Sequence, residues 1–546
     1  MKSIIPTASL VLLLAVSGAA QDVRYPTAPM ESYYDLNFTD AERDSMQSQL
    51  DEMQQEIRAI HSYSLDNSVS PALRFNPYPP GFSADSIQEA VVWGLPPNVP
   101  LPKDRNELAF MPVYQLAELI RTRKITSTEL TRLYLDRLEK YGDTLQCVIS
   151  ILKERALQRA QQADAEIAAG KYRGPLHGIP YGVKDLLAVK GTKTTWGAMP
   201  YKDQYIDKTA TVVEKLDQAG AVLIAKLTMG ALAMGDVWYG GKTRNPWNLK
   251  QGSSGSSAGS AAATAAGLVA FAIGTETWGS IISPSTRCGA TGLRPTYGLV
   301  SRHGAMALSW SMDKIGPICR SALDCALVFD AIRGPDGKDG TVTAAPFNYN
   351  ARKPVSELKV GYVKSYFDAD SINREENKAI LQVIRKLGIE PVEVKLPDKL
   401  PVSALSTILV AEAAAAFDEL TRTDRDSLLV RQDKNAWPNN FRSARFIPAV
   451  EYINALRIRE ILVREYNEAT KEFDVIITPS FAGDQLLMTN LTGHPCLVLP
   501  HGFDEKGSPV SISLLGRLQG EAALITLGRA IQEATPWEDK HPPLFR

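Results

Sequence analysis

Residues 251–285 read QGSSGSSAGSAAATAAGLVAFAIGTETWGSIISPS, so two glycine- and serine-rich turns flank an apolar segment. Glycine beside serine lets the backbone approach a ligand closely and leaves amide N–H groups free to point at developing negative charge. Gly/Ser runs are often flexible linkers, but this run passes directly into a small-residue helix pattern and then an apolar strand pattern. The stretch therefore belongs to a folded core, and it predicts a hydrolytic site.

Helix and strand patterns alternate on both sides of this stretch. A capping box at Thr126 and Glu129 predicts a helix that runs to residue 141, and further helices are predicted over residues 153–169 and 211–219. Strand patterns occupy residues 221–227, 359–363, 474–478, 495–500 and 509–515. Such alternation predicts an α/β fold in which helices cover a largely buried sheet.

The first 20 residues have the pattern of a secretory signal peptide. Lys2 precedes an apolar stretch over residues 4–16, and small residues follow at 17–20. This stretch is too short for a comfortable membrane span, and no later segment of the sequence is long and apolar enough to be one. We therefore expect a secreted or periplasmic protein with no membrane span after signal cleavage, and an uncleaved N-terminal anchor stays an open alternative.

Residues 21–105 are interpreted as a helical and proline-rich N-terminal extension, followed by a main domain over residues 106–540. A helix is predicted over residues 39–63, because apolar residues recur there at three- and four-residue steps, namely Met46, Leu50, Met53, Ile57 and Ile60. This stripe favours packing against the rest of the chain over pairing with a second copy, so a homodimer stays an open alternative.

The composition excludes several function classes. The chain is 44% hydrophobic and 22% charged with a formal net charge of −1, which is typical of an ordinary globular protein. Basic residues form no stripe, so we expect no nucleic-acid partner. The five cysteines are odd in number and predict no disulfide framework. The six histidines show no paired ligand spacing, so we expect neither a metal nor a cofactor.

Four nucleophile schemes fit the residues, and two of them rest on short motifs. Gly255 to Gly259 matches the GxSxG elbow with Ser257 as nucleophile, but the elbow needs a preceding strand, and residues 245–253 are interpreted as a loop. Ser311 and Lys314 match SxxK, but the partner motifs of that enzyme class are missing from the sequence. Both matches are interpreted as accidental.

The other two schemes differ in the base. A Ser-His-Asp arrangement has His177, His303 and His494 as candidates, although a lone histidine in a glycine- or proline-containing turn is more often structural. Lys184 ends an apolar, glycine-punctuated strand pattern, where desolvation lowers the pKa of a lysine and makes it a competent base. A solvated surface lysine is the alternative interpretation of that residue.

The motifs together resemble the amidase signature family from about residue 107 to about residue 536. They occur in order as GPLHGIPYGVKD around Lys184, NPWN at 245–248, SGSSAGSAAATAAG at 254–267, GTETWGS at 274–280, CGATGLRPTYGLVS at 288–301 and SMDKIGP at 311–317. The resemblance implies a three-layer α/β/α fold with a central mixed, twisted sheet, and it makes residues 106–540 the amidase domain.

The resemblance also implies a Ser–cis-Ser–Lys catalytic triad. Ser280 ends the second glycine turn and matches the nucleophile, Ser256 lies 24 positions earlier and matches the bridging serine, and Lys184 matches the base. A cis peptide bond is expected between Gly255 and Ser256. The backbone N–H groups of residues 277–280 match the family's oxyanion hole, which adds Thr277, Trp278 and Gly279 to the expected site.

This sequence departs from many relatives beside the nucleophile. Trp278 stands where many of them carry Gly or Asp, which predicts a bulkier and less polar pocket. The family also takes substrate contacts from the loop that here spans residues 229–241, so Met234 and Trp238 are candidates for the acyl-side wall of the site. Either residue would look the same if it only packed in the core.

The expected function is hydrolysis of a linear, non-peptide carboxamide by an exported enzyme that forms an acyl-enzyme on Ser280. The expected partner is a small-molecule amide substrate. Hydrolysis of an ester or a carbamate by the same triad is an open alternative, because acyl transfer to serine does not require an amide. Two further alternatives are a catalytically silent binding protein and an amidotransferase subunit.

Overall fold

The computed structural model of the protein describes residues 28–34, 39–61, 66–69, 73–83, 86–370 and 373–546. The predicted signal peptide at residues 1–20 lies outside these ranges, so it stays a prediction. The chain divides into two compact units, Met1–Asp66 and Asn67–Arg546. None of the described helices is long and apolar enough to cross a membrane.

The α-helices of the described residues are α1 (Ala28–Tyr33), α2 (Asp40–His61), α3 (Val113–Arg121), α4 (Ser127–Leu145), α5 (Lys153–Ala168), α6 (Thr211–Gln218), α7 (Ala258–Ala265), α8 (Ile282–Cys288), α9 (Ala322–Ile332), α10 (Lys364–Ala369), α11 (Arg374–Lys386), α12 (Ser406–Ala416), α13 (Asp418–Arg422), α14 (Trp437–Ala444), α15 (Ala449–Thr470), α16 (Gln485–Thr492) and α17 (Glu521–Glu533).

The strands are β1 (Val148–Ile151), β2 (Pro180–Lys184), β3 (Val222–Leu227), β4 (Val237–Trp238), β5 (Gly241–Lys242), β6 (Arg244–Asn245), β7 (Asn248–Gly252), β8 (Phe271–Glu276), β9 (Thr291–Arg294), β10 (Lys314–Cys319), β11 (Val360–Tyr362), β12 (Val392–Glu393), β13 (Val475–Pro479), β14 (Cys496–Phe503) and β15 (Pro509–Gly516).

A mixed sheet of eleven strands forms the centre of the second unit. Its order is β1-β3-β2-β8-β10-β9-β14-β15-β13-β11-β12. Strand β2 pairs in parallel with β3 and β8, whereas β10 runs antiparallel to both β8 and β9. Helices cover the sheet, so the expected three-layer α/β/α fold with a mixed central sheet is confirmed.

Most of the predicted elements are present within a few residues of the expected bounds. The predicted helix over residues 39–63 is α2, but four of its five stripe side chains lie outside the described part of the structure, so the packing of that stripe stays a prediction. The interpretation of residues 245–253 as a loop is wrong. They contain β7, which pairs with β6 in a separate two-stranded sheet, because the Asn245–Asn248 turn folds the chain back on itself.

The small residues of α7 allow this helix to lie directly against the sheet. All eight of its residues are buried. A Cβ added at Gly259 would come within 2.5 Å of the backbone nitrogen of Thr228, which follows β3. Close packing against the sheet therefore requires the small, apolar residues found between the two serine-bearing turns. This agrees with the prediction that the segment belongs to the core.

The capping box that opens α4 is formed as predicted. The Thr126 hydroxyl accepts a hydrogen bond from Glu129 N at 3.0 Å, and the Glu129 carboxylate accepts one from Thr126 N at 2.8 Å. The Thr126→Ala variant should therefore lose about 1 kcal/mol of unfolding free energy, measured by chemical denaturation. Thr128→Ala, in the same helical turn, removes no cap and should stay within about 0.5 kcal/mol of wild type. Equal losses in the two variants would contradict this assignment.

Candidate active site

Lys184 ends β2 with its amine fully buried beside two serines. Its Nζ lies 2.8 Å from Ser256 Oγ and 3.1 Å from Ser257 Oγ, and it also contacts Thr275, at 2.8 Å from Oγ1 and 3.4 Å from the carbonyl oxygen. Burial lowers the pKa of Lys184 to about 7, because desolvation disfavours the ammonium form. The amine is therefore neutral in a large fraction of molecules near neutral pH, as a base must be.

Ser256 follows the expected cis peptide bond. The bond between Gly255 and Ser256 is cis. A Cβ at Gly255 would lie 1.8 Å from the carbonyl oxygen of Gly235, so only glycine fits where these two backbone segments meet. The Ser256 carbonyl accepts a hydrogen bond from Gly230 N at 3.3 Å. These contacts fix the turn that presents the Ser256 hydroxyl to Lys184.

Ser280 lies in the turn between β8 and α8, next to the first serine turn. Its carbonyl accepts a hydrogen bond from Ser257 N at 3.2 Å, which joins the two glycine-rich turns through their backbones. Among the described residues, Ser280 Oγ makes no hydrogen bond to Ser256 Oγ. The structure thus contains the Lys184–Ser256 link of the predicted triad and places Ser280 beside it, without the second side-chain link.

The turn that carries Ser280 leaves its amide groups free. In the described part of the chain, the backbone N–H groups of residues 277–280 donate to no protein acceptor, whereas those of Ile281 and Ile282 both donate to Glu276 Oε2, at 2.8 and 2.9 Å. Gly279 takes a positive φ of 84°, which glycine adopts readily. Free backbone N–H groups of this kind are the donors that an oxyanion hole uses.

Glu276 holds this turn from inside the protein. Its Oε1 accepts hydrogen bonds from Arg294 Nη1 at 2.7 Å and from Asn490 Nδ2 at 2.8 Å, and both Glu276 and Arg294 are fully buried. Burial alone would raise the pKa of Glu276, but the Arg294 charge and the hydrogen bonds hold it below its usual value. Arg294 also donates to the carbonyl of His494 at 3.0 Å.

Asp313 holds the other side of the same turn. Its Oδ1 accepts a hydrogen bond from Thr277 Oγ1 at 2.5 Å, and its Oδ2 accepts from the backbone nitrogens of Leu308 and Ser309 at 2.8 and 3.0 Å. Burial raises the pKa of Asp313 despite these bonds. The start of the candidate oxyanion hole is therefore attached to the loop that precedes β10.

Four neighbours of the triad were not predicted from the sequence to be site residues: Ser257, Thr275, Glu276 and Asp313. Each lies inside one of the motifs that carry the family resemblance, so these motifs were the sequence feature that could have identified them as site residues. Ser257 was considered only as a rival nucleophile of the GxSxG pattern. In the structure its hydroxyl contacts Lys184 and accepts from Thr275 N at 3.1 Å.

The SxxK and Ser-His-Asp schemes find no support in the geometry. Ser311 Oγ binds Glu412 and Arg459, while Lys314 Nζ donates to the carbonyl of Met312, so Ser311 and Lys314 do not form an SxxK pair. Among the described residues, no serine hydroxyl hydrogen-bonds to the imidazole ring of His177, His303 or His494; Ser301 Oγ accepts only from the backbone nitrogen of His303, at 3.2 Å.

The candidate substrate-wall residues lie apart from the triad contacts. Trp278 is 46% exposed, so its indole is available to a ligand or to solvent at the nucleophile turn. Met234 lines a small cavity of about 20 Å³ with Leu429 and Trp437. Trp238 packs edge-on against Tyr239, with ring centroids 4.9 Å apart. The roles of Met234 and Trp238 in substrate binding stay predictions.

Two cavities differ in size and in their distance from the triad. A cavity of about 150 Å³ is lined by Thr275, in β8, and by Thr277, in the nucleophile turn. A larger one, of about 620 Å³, is lined by residues of α3, α17 and the C-terminal segment, including Tyr114, Arg529 and Glu538. Neither cavity is lined by a residue of the predicted triad, but the smaller one is lined by Thr277 of the nucleophile turn and by Thr275, which contacts Lys184, so it lies nearer the candidate site.

Comparisons with known proteins agree with this geometry. The family model described as Amidase matches residues 129–488. The chain is 35% identical to a glutamyl-tRNA(Gln) amidotransferase subunit of Moorella thermoacetica, over 80% of this chain and 99% of that protein. The corresponding subunit of Heliobacterium modesticaldum is 34% identical, over 79% of this chain and 98% of that protein.

A solved structure of similar fold is the native peptide amidase from Stenotrophomonas maltophilia. The two chains are 28% identical, the TM-score is 0.71, and the match covers 78% of this chain and 97% of the peptide amidase. The match to the family model, the identity with the amidotransferase subunits over nearly their full length and the shared fold agree with one another: the chain belongs to the amidase signature family.

Proposed function

We propose that the protein hydrolyses a carboxamide through an acyl-enzyme on Ser280. The observation that carries this proposal is the fully buried Lys184 amine, 2.8 Å from Ser256 Oγ, beside the turn of free amides that ends on Ser280. A structural lysine would gain from an anionic partner in direct contact, but the hydrogen-bond partners of this one are neutral hydroxyl and carbonyl groups. Such surroundings favour the neutral amine and hence a base.

The proposed reaction uses these groups and requires Ser280 Oγ to move within hydrogen-bond distance of Ser256 Oγ when the substrate binds. Ser280 Oγ attacks the amide carbonyl while its proton passes to Ser256 Oγ, and the Ser256 proton passes to neutral Lys184 Nζ. The C–N bond then breaks, and the leaving nitrogen takes back a proton along the same path. Water attacks the acyl-enzyme with the same groups acting as base, which releases the carboxylic acid and restores Ser280.

The free amides of residues 277–280 would bind the oxyanion that forms on the carbonyl oxygen. Removal of one such donor typically costs about 3 kcal/mol of transition-state stabilisation. Glu276 is already bonded to the amides of residues 281 and 282, and Asp313 is bonded to the Thr277 side chain. The donors are therefore fixed before the substrate arrives, so little reorganisation is needed during the reaction.

An amidotransferase subunit is the second candidate function. The curated relatives described above are subunits of glutamyl-tRNA(Gln) amidotransferase and share 34–35% identity with the chain, more than the 28% shared with the peptide amidase. Such an enzyme uses the same acyl-enzyme chemistry, but it passes the released ammonia to a second site. This identity favours the subunit, whereas the signal peptide predicted at residues 1–20 favours an exported enzyme that works alone.

The two candidates differ in what the purified chain does by itself. A stand-alone amidase should release amine from simple aryl and alkyl amides without any added protein. Steady turnover of those amides, with glutamine a poor substrate, would support it. Turnover confined to glutamine would support the subunit, and p-nitrophenyl esters or carbamates hydrolysed far faster than the matched amides would support the ester or carbamate alternative.

Export is a separate part of the proposal. Cleavage near Ala20 would leave a mature chain that begins close to residue 21. N-terminal sequencing of the protein recovered outside the cytoplasm tests this directly. Recovery of the full-length chain from the cytoplasm alone would contradict it and would favour the amidotransferase candidate.

Ser280→Ala should abolish amide turnover, because the nucleophile is lost while the fold is kept. We expect kcat to fall by at least about a thousandfold and covalent labelling by a fluorophosphonate to disappear. Ser283→Ala is the matched control in the next helical turn, since it loses only a 2.8 Å hydrogen bond to Ser254 Oγ. A labelled, active Ser280→Ala protein would disprove the assignment.

The pH dependence of kcat/KM should report the ionisation of Lys184. The amine must be neutral to accept a proton, so activity should rise with pH and reach half its plateau near pH 7, where burial places the Lys184 pKa. Asp313 raises this pKa, so Asp313→Asn should move the midpoint to lower pH. Asp203→Asn removes an exposed carboxylate and should leave the midpoint in place. A pH-independent rate in the wild type between pH 5 and 9 would exclude Lys184 as base.

A further inference from the structure

The loop that precedes β10 carries Asp313 and contacts the nucleophile turn. We call residues 307–313 the anchor loop. The Asp313 carboxylate folds this loop back on itself, because its Oδ2 accepts hydrogen bonds from Leu308 N and Ser309 N at 2.8 and 3.0 Å. Its Oδ1 accepts a hydrogen bond from the Thr277 hydroxyl at 2.5 Å. The position of the anchor loop therefore determines where Thr277, the first residue of the candidate oxyanion hole, is held.

Glu412, in α12, binds the anchor loop through its carboxylate. The residue is 6% exposed. Its Oε2 accepts hydrogen bonds from Ser309 Oγ at 2.7 Å and from Ser311 N at 3.0 Å, and its Oε1 accepts from Ser311 Oγ at 2.7 Å and from Tyr452 OH at 3.0 Å. Three of these four donors belong to the anchor loop. Because a buried carboxylate is costly unless it is hydrogen-bonded, these contacts hold the loop against α12.

Arg459, in α15, binds the same serine of the anchor loop. Its Nη1 donates to Ser311 Oγ and its Nη2 donates to the Ser311 carbonyl, both at 2.8 Å. Its Nε donates to the carbonyl of Leu491, in α16, at 2.6 Å. The Arg459 side chain is fully buried. Ser311 therefore links the buried carboxylate of Glu412 to the buried guanidinium of Arg459.

A further contact with the anchor loop comes from the N-terminal part of the second unit. Asn67 Nδ2 donates to the carbonyl of Ala307 at 3.0 Å, and Asn67 Oδ1 accepts from Ala307 N at 2.7 Å. The same Nδ2 reaches the carbonyl of Ala416, the last residue of α12, at 3.3 Å. Asn67 therefore joins the first residue of the anchor loop to the helix that carries Glu412.

We propose that Glu412 is a positioning residue for the candidate oxyanion hole. It holds the anchor loop through Ser309 and Ser311, and the loop in turn holds Thr277 through Asp313. The inference rests on the proposed function, because the amides of residues 277–280 matter for catalysis only if an oxyanion forms beside them. Each step of this path is a hydrogen bond between buried groups, so a shift at Glu412 is passed to the nucleophile turn.

The proposed role predicts a specific kinetic defect. Backbone donors of an oxyanion hole act mainly in the transition state, where the negative charge develops. Displacement of the anchor loop would misplace these donors and leave the contacts of the bound substrate largely unchanged. Loss of Glu412 should therefore lower kcat and have little effect on KM.

The test uses the full purified chain and its best substrate among simple aryl and alkyl amides. Glu412→Ala should lower kcat at least about tenfold and leave KM within about twofold of wild type, with kcat expressed per Ser280 site labelled by a fluorophosphonate. Glu412→Gln keeps one acceptor oxygen and should be at least about threefold more active than Glu412→Ala. Glu419→Ala is the matched control, since it removes an exposed carboxylate from α13, and its kcat should equal that of wild type.

A milder variant covers the case in which Glu412→Ala fails to fold. Ser309→Ala removes one hydrogen bond to Glu412 and leaves both bonds from Ser311 in place. Its kcat should fall about threefold, again with KM nearly unchanged. An unchanged kcat in the folded variants, or a rise in KM alone, would overturn the inference.

A double-mutant cycle tests whether Glu412 acts through Thr277. Thr277→Val keeps the backbone N–H and removes the hydroxyl that Asp313 binds, so it should itself lower kcat. In the Thr277→Val protein, Glu412→Ala, or Ser309→Ala in its place, should lower kcat by less than about a further twofold. Full multiplication of the two separate losses would overturn the proposed path. Absence of any Ser280-dependent turnover in the wild type would instead overturn the proposed function itself.

Discussion

The buried carboxylate of Glu276 is the interaction on which the candidate site depends. It lies in the protein interior, where an unpaired charge is very costly, and it is compensated by Arg294, by Asn490 and by the two amides that follow the nucleophile turn. Loss of one partner of such a pair typically costs about 3–5 kcal/mol. The same bonds that satisfy Glu276 therefore fix the shape of the turn that carries Ser280.

This constraint explains why the amides of residues 277–280 are available for catalysis. Glu276 takes the next two N–H groups and Asp313 takes the Thr277 hydroxyl, so the turn is held at both ends by groups that do not use its central amides. Arg294 and Asn490 come from β9 and α16, and α16 is far from Glu276 in sequence. The nucleophile turn is thus supported by the C-terminal half of the chain, through side chains that the proposed mechanism does not bring into contact with a substrate.

Burial has the opposite effect at Lys184. Glu276 keeps its charge because cationic and amide donors surround it, whereas Lys184 has hydroxyl and carbonyl neighbours and loses part of its preference for the charged form. Glu276 and Lys184 are both buried in the same core, but their different neighbours favour the charged form of Glu276 and the neutral form of Lys184. That difference separates a residue that positions the site from one that can accept a proton.

The sequence by itself predicted the α/β fold and several of its helices and strands, because periodicity is a local property of the chain, and its ordered motifs gave the resemblance that implies the Lys184, Ser256 and Ser280 candidates. It did not reveal the β6–β7 hairpin, the Lys184 contacts of Ser257 and Thr275, or the hydrogen bonds between Asn67 and Ala307. Those features depend on which distant segments pack together. Only the tertiary structure decided them, since Asn67 and Ala307 lie 240 residues apart and meet only when the sheet and its loops have formed.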